Sequence, residues 1–292
     1  MTRRISAGFA LLCVLSGSGW VLDELAPGHL HGLLRMAVHD GVLAVVVGGL
    51  SLLNPDGVER PWRFWVKLAI AGVVMFAVPQ TLIAAAGGHV SGMTELLIYL
   101  LVPAVVVFVV AQQTATIGSA ESALRFLTPA LAGWFGAVLM FPFDWPPSPD
   151  GRIWLVAMVG SAVLAGFAAV RLHIMLQGVG ALRAAAVMFG ATALAAAAFC
   201  WVDWGGIPGW NSSAAMLEVV RLVAVEAPIM LLMVWLLREM KPIRFSAHVL
   251  MVPLVMIVEG YLLERPSIDW TTALGVVLLA VGAVGLLRAE SA

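Results

Sequence analysis

The feature that most constrains this chain is a paired apolar segment near the end of the sequence, from Ser246 to Leu287. It reads SAHVLMVPLVMIVEGYLLERPSIDWTTALGVVLLAVGAVGLL, two apolar spans separated by the short polar break Glu264-Arg265-Pro266. About 20 apolar residues cross a hydrocarbon layer about 30 Å thick, and a soluble core does not need two such spans so close together. The pattern therefore predicts a hairpin that crosses a membrane and returns.

Composition extends this prediction to the whole chain. The sequence is 62% hydrophobic and 11% charged, whereas soluble proteins average about 25% charged residues. Its net charge of −1 gives no basic surface for nucleic acid. We therefore expect an integral membrane protein of the bacterial inner (plasma) membrane type, with the lipid bilayer as its partner and no nucleic acid.

Ten apolar spans can be recognised, which predicts an all-α membrane protein with ten transmembrane helices. Lys and Arg concentrate at one set of span ends, so we expect both termini to be cytoplasmic. Arg35, Arg152 and Arg265 are the exceptions and fall at the opposite ends. The spans are approximately 5–23, 32–53, 64–86, 92–112, 123–142, 152–171, 183–202, 212–237, 246–263 and 270–288.

Features of the first half recur in the second half, in the same order and at a nearly constant shift. The matched pairs, separated by 148 to 150 positions, are Gly17 with Gly166, Arg35 with Arg183, Pro79 with Pro228, Pro103 with Pro253, Gly133 with Gly282, and Gly136 with Gly285. An odd number of spans per copy forces the second copy to enter the membrane from the other side. We therefore predict two inverted-topology five-helix repeats, residues 1–145 and 146–292, as in many secondary transporters.

These features resemble the EamA-type transporters of the drug/metabolite transporter (DMT) superfamily, whose larger members contain two five-helix repeats. The likeness is clearest in the second half, at Pro253, Glu264, Gly275 and Gly282. In the first half, Ala115 stands where the repeat would place a second copy of Glu264. The resemblance implies a metabolite exporter or exchanger that works by alternating access, without a cofactor.

Ionisable residues inside spans are the candidates for a substrate site, because each costs about 2.5–3.5 kcal/mol at the centre of a helix. Glu218 and Arg221 are three residues apart and could neutralise each other, or Arg221 could bind a carboxylate or phosphate. Glu226 has no basic partner on its own helix, which suits proton coupling or binding of a substrate amine. Asp40, beside His39, is predicted to face a cavity.

Two further polar residues and four prolines complete the predicted site. Glu259 could bind substrate or pair with a neighbouring helix, and Gln80 follows a proline that leaves a backbone carbonyl free. Pro79, Pro103, Pro228 and Pro253 are predicted gating hinges, because each removes a backbone hydrogen bond. Each of them could also be a simple packing feature.

The resulting hypothesis is a secondary transporter rather than an enzyme. Its substrate would be a small polar or amphipathic metabolite, amino-acid-like or organic-anion-like, with proton coupling as one option. The first alternative is a membrane-embedded subunit or binding protein that transports nothing. The second is an intramembrane metal enzyme using His29, His31, His39, Asp40 and His89, although their spacing matches no tetrahedral zinc pattern.

Overall fold

A computed structural model describes residues 2–21, 32–53, 60–114, 120–204, 225–264 and 269–289, and among these residues the secondary structure is helical, with no strand. The principal helices are α1 (Arg3–Gly17), α2 (Gly32–Leu53), α3 (Trp62–Ala85), α4 (Gly92–Thr114), α5 (Leu127–Met140), α6 (Pro149–Leu176), α7 (Ala181–Trp204), α8 (Ala227–Glu239), α9 (Pro242–Glu264) and α10 (Trp270–Leu287).

Eight of the described helices are long and apolar enough to cross a membrane, namely all of these except α5 and α8. Their outer surfaces carry large apolar side chains, and Leu52, Val156 and Leu194 are each more than two thirds exposed. Such helices are stable in lipid because their backbone groups are paired internally and their side chains are as apolar as the surroundings. The chain is therefore an integral membrane protein.

One predicted span is divided in the structure, and another lies partly outside the described residues. The predicted span 123–142 is divided into a short helix, Ala120–Leu124, and α5, which begins at Leu127. The predicted span 212–237 is described only from residue 225 onward. Glu218 and Arg221 consequently lie outside the described residues.

Three of the four prolines lie where helical geometry changes. In α3, a π-helical turn at Val73–Ala77 precedes Pro79, and the two residues before Ala227 are also π-helical, just ahead of Pro228. In α4 the helix is interrupted between Tyr99 and Val102, next to Pro103. Pro253, by contrast, is buried within the continuous helix α9.

Two helix pairs make the most extensive contacts of the described chain, α2 with α7 and α5 with α10. Glycines allow the close approach of α5 and α10. A Cβ atom on Gly282 would lie 2.6 Å from the backbone of Gly133, and one on Gly136 would lie 2.6 Å from the carbonyl oxygen of Gly275. These helices therefore touch backbone to backbone, as small residues permit in membranes.

Two other glycine contacts have the same form. Gly17 in α1 packs against Val252 and Val255 in α9, while Gly166 in α6 packs against Val102 and Val105 in α4. Each residue of the second contact differs from its counterpart in the first by 149 or 150 positions. Gly17 therefore contacts α9 in the same way as Gly166 contacts α4. The two glycines, and the two pairs of valines, lie on helices that are five places apart in the order α1 to α10.

Candidate functional site

A cavity of about 680 Å³ lies between α1, α2, α3, α4, α6, α8 and α9. Its walls are mainly apolar, with side chains from methionine, phenylalanine, valine and isoleucine. This size and this balance of many apolar and few polar groups are typical of small-molecule sites. The polar side chains that line it are Ser16, Arg35, His39, Gln80, Tyr99, Glu226, Ser246 and His248.

The cavity extends through much of the depth of the bundle. One end lies near Gly19, just after α1, where Trp20 Nε1 donates a hydrogen bond of 3.2 Å to Glu259 of α9. The cavity reaches Ser246, which precedes Glu259 by 13 positions on α9. At 1.5 Å per helical residue this corresponds to about 20 Å, so the cavity passes the middle of a bilayer about 30 Å thick.

An ion pair between α2 and α8 is the principal charged feature of the cavity. The guanidinium of Arg35, in the first turn of α2, donates from Nη2 to Oε1 of Glu226, which immediately precedes α8. Their side chains are 24% and 26% exposed, and both line the cavity. A charged pair in a mainly apolar site can exchange its partner for a charged ligand, because Arg offers five donors and a carboxylate accepts several hydrogen bonds.

This pair changes the interpretation of both residues. From the sequence Glu226 has no basic partner on its own helix, and Arg35 contributed to the predicted topology and the repeat but not to the predicted site. The structure gives Glu226 a partner 191 positions away in the chain, which helical spacing cannot reveal. The sequence signal that could have identified Arg35 was its position inside an apolar span, where a charge needs a partner.

A buried polar cluster formed by His39, Asp40 and Thr192 lies behind the ion pair. Asp40 is fully buried and does not line the cavity, and its Oδ2 accepts a 2.5 Å hydrogen bond from the hydroxyl of Thr192 in α7. Nδ1 of His39 is 3.3 Å from Oδ1 of Asp40 and 3.9 Å from Oε2 of Glu226. The imidazole therefore stands between the buried carboxyl group and the ion pair.

Three buried polar atoms around this site have no hydrogen-bond partner among the described residues. They are Nε2 of His39, Oδ1 of Asp40 and Oγ of Ser16. His39 and Ser16 line the cavity. Because buried polar atoms are normally hydrogen-bonded, these are positions where a water molecule or a ligand would complete the hydrogen bonding.

Hydroxyl groups connect the other walls of the cavity. Tyr99 in α4 lies with its hydroxyl 2.8 Å from Oγ of Ser161 in α6, and it donates to the carbonyl oxygen of Pro79 at 3.4 Å. The exposed side chain of Gln80 lies in the same wall. Tyr99 and Ser161 were not predicted from the sequence, because Tyr and Ser in apolar spans carry no distinctive pattern.

Of the other predicted site residues, only some line the cavity. Glu259 does not line the cavity. Its carboxylate instead accepts hydrogen bonds from Ser18 Oγ at 2.5 Å and from Trp20 Nε1. Pro79 lines the cavity, whereas Pro103 and Pro253 are buried outside its lining. The lining of the cavity as described includes no atom of Pro228, although its neighbours Glu226 and Ile229 belong to it.

Metal binding has no structural support within the described residues, which contain no group of three or more His, Cys, Asp or Glu side chains that could hold an ion. His29 and His31, part of the histidine set considered above, lie outside them. His89 lies in the turn that connects α3 to α4. The described site is thus a cavity with an ion pair, and the carboxyl group of Asp40 is buried outside its lining.

Comparison with known proteins identifies a fold but no family. No family model matches the chain, and no curated protein matches it. Among solved structures 17 chains match. One of them, from a crystal structure, aligns with a TM-score of 0.71 and 16% sequence identity, over 97% of this chain and 98% of the other. At this identity the likeness shows that the two proteins share a fold along nearly their whole length.

Proposed function

We propose that this chain is a secondary transporter of the drug/metabolite type, which moves a small polar or amphipathic molecule across the membrane by alternating access. The observation that carries the proposal is the cavity of about 680 Å³, which contains the Arg35–Glu226 pair and extends past the middle of the bundle. A protein with only a structural role in the membrane has no need for a charged cavity at this depth, where ionisable groups are costly.

Repeat-related packing supports the alternating-access part of the proposal. The α1–α9 and α6–α4 contacts have matching positions at a shift of 149 or 150 residues. The pairs α2–α7 and α5–α10 each join one helix with its counterpart in the other half. Two inverted five-helix repeats would produce this pattern, and exchanging the conformations of the two halves would open the cavity to the other side.

The lining defines the expected chemistry of the substrate. Arg35 would bind a carboxylate or phosphate group of the substrate, which would take the place of the Glu226 carboxylate. Glu226 would bind a cationic group. Met230, Met233 and Val249 offer apolar surface beside these charges. An amphipathic molecule with at least one charged group fits this lining better than a sugar, which would require many more polar groups.

The test is transport by the purified protein in proteoliposomes. Vesicles loaded with one candidate compound are given trace radiolabelled compound outside, so that exchange concentrates the label without any ion gradient. A panel of amino acids, organic anions and amphipathic cations should include at least one compound that is exchanged. Glu226→Gln and Arg35→Gln should reduce this exchange at least tenfold, while Arg238→Gln, which alters an ion pair outside the cavity lining, should not.

The competing function is that of a membrane-embedded subunit that transports nothing. It predicts that the protein purifies with a stable partner from its native membrane and that no compound on the panel is exchanged. If both cavity variants exchange substrate as well as wild type does, the protein is a transporter, but the Arg35–Glu226 pair is not its binding site.

A further inference from the structure

We infer that the chain has a proton-binding site separate from the substrate cavity, formed by the carboxyl group of Asp40, with His39 as the route by which the proton enters and leaves. The inference deepens the proposed function, because it assigns a coupling ion and the residue that carries it. It rests on the buried cluster of His39, Asp40 and Thr192.

The burial of Asp40 is the first reason. Its side chain has no exposed surface, and its Oδ1 has no hydrogen-bond partner among the described residues. A permanently ionised carboxylate at this depth would be strongly disfavoured, whereas a group that gains and loses a proton is neutral for part of the cycle. Buried carboxyl groups within membrane helices are typical of proton relays.

Thr192 provides a partner for both protonation states. Its hydroxyl oxygen lies 2.5 Å from Asp40 Oδ2 and 3.0 Å from the carbonyl oxygen of Phe189 in its own helix. A hydroxyl group has one hydrogen to donate. That hydrogen can donate to Oδ2 when Asp40 is ionised, and it can remain there when the carboxyl group has taken up a proton at Oδ1, because Oδ2 is still an acceptor.

His39 connects Asp40 with the cavity. Its side chain is only 3% exposed, its Nδ1 is 3.3 Å from Asp40 Oδ1, and its unpartnered Nε2 belongs to a residue that lines the cavity. A proton that binds Nε2 from the cavity is balanced by transfer of the Nδ1 proton to Asp40 Oδ1. The imidazole is then neutral again with its proton on Nε2, the carboxyl group is neutral, and the reverse transfer returns one proton to the cavity.

The surroundings connect this proton site with the substrate site. The charged side chains that these contacts place beside the cluster are Arg35 on α2 and Glu226 on α8, α7 contributes Thr192, and the titratable His248 of α9 lines the same cavity. The nearby part of α3, residues 73–85, contains no titratable side chain. Since Glu226 Oε2 is 3.9 Å from His39 Nδ1 and its other oxygen binds Arg35, proton loading and substrate binding would each affect Glu226.

Infrared spectroscopy of the purified protein tests the proton site without any substrate. A pH titration should reveal the carbonyl band of a protonated carboxylic acid that is present in wild type, missing in Asp40→Asn and retained in Glu259→Gln. Glu259 is the matched control, because it is a carboxylate in a membrane helix that binds Ser18 and Trp20 instead of the cluster. An identical titrating band in Asp40→Asn would overturn the assignment.

Two further variants keep the test decisive if Asp40→Asn does not fold. Thr192→Val removes the hydroxyl that donates to Asp40 Oδ2, so the frequency of the acid band should change. His39→Gln should leave the band present but slow its response to a pH jump, because the route for the proton is lost. Bands that are unchanged in both variants would contradict the inference.

The transport assay separates this inference from the proposed function. Wild-type vesicles should accumulate substrate in response to an imposed pH gradient, whereas Asp40→Asn should retain exchange and lose at least tenfold of the gradient-driven accumulation. If wild type exchanges no compound, the transporter proposal fails while the infrared result stands by itself. If Asp40→Asn responds to the gradient like wild type, the coupling role of Asp40 is wrong even though the protein transports.

Discussion

The guanidinium of Arg35 is paired with the carboxylate of Glu226, and this contact joins α2 to the start of α8 at the wall of the cavity. Each charge neutralises the other in a mainly apolar environment, so each variant that removes one partner leaves a charge poorly compensated. The pair therefore has a structural role in the empty protein in addition to the binding role that we propose.

The effects of removing the two members of the pair should not be additive. We expect Arg35→Ala and Glu226→Ala each to cost about 1–3 kcal/mol, since an unsatisfied buried group bears its own desolvation penalty. The double variant should cost less than the sum of the two. Thermal unfolding in detergent, followed by tryptophan fluorescence, measures all three.

The matched control for this cycle is Arg238→Ala. Arg238 lies 3.7 Å from Glu239, with side chains 32% and 42% exposed, and solvent screens such pairs. Its loss should cost at most about 1 kcal/mol. Strict additivity of Arg35→Ala and Glu226→Ala would show that the two side chains do not interact in the folded protein.

The contact between α5 and α10 should not tolerate a side chain. Gly282→Ala would place a Cβ atom 2.6 Å from the backbone of Gly133 and from the carbonyl oxygen of Pro129. Because backbone atoms cannot move aside as a flexible side chain can, we expect a loss of about 1–3 kcal/mol. Gly260→Ala is the control, since no atom lies within 4 Å of its added Cβ, and it should fold at least as stably as wild type.

Filling the cavity should stop transport without unfolding the protein. Ala165 lies in α6 and lines the cavity, so Ala165→Phe would occupy space that the substrate needs. We expect exchange to fall at least tenfold while the melting temperature in detergent changes little. Val163→Phe, on the lipid-exposed side of the same helix, should exchange normally. A fully active Ala165→Phe would place the substrate path elsewhere.

The hinge role predicted for Pro79 makes a kinetic prediction. Pro79→Ala restores a backbone N–H that can donate to the carbonyl four residues earlier, so the π-helical turn at Val73–Ala77 should become more regular. We expect equal or higher thermal stability and slower exchange, since a straighter α3 bends less easily. Pro149→Ala is the control, because Pro149 begins α6, where no such hydrogen bond is lost. Equal exchange rates in both variants would exclude a hinge at Pro79.

Part of the site was accessible from the sequence. Asp40 and Glu226 were selected because an ionisable group inside an apolar span must have a partner or a function, and Gln80 because it follows Pro79. The structure places Glu226 and Gln80 in the cavity wall and Asp40 directly behind it. Glu259 met the same criterion, but it binds Ser18 and Trp20 outside the cavity lining. The insertion cost of a charge is the same in both situations, so the criterion cannot separate a ligand site from a helix–helix contact.

The sequence by itself determined that the chain crosses a membrane as a set of helices, because hydropathy and the length of an apolar span depend only on local composition. It also indicated three of the places where the helices deform, at Pro79, Pro103 and Pro228, since proline removes a backbone hydrogen bond. Only the tertiary structure decided that Arg35 meets Glu226, that Thr192 meets Asp40, and that His39 stands between them. These partners are on different helices, and the lateral packing of apolar helices is determined by close contacts such as Gly133 with Gly282, which no local pattern encodes.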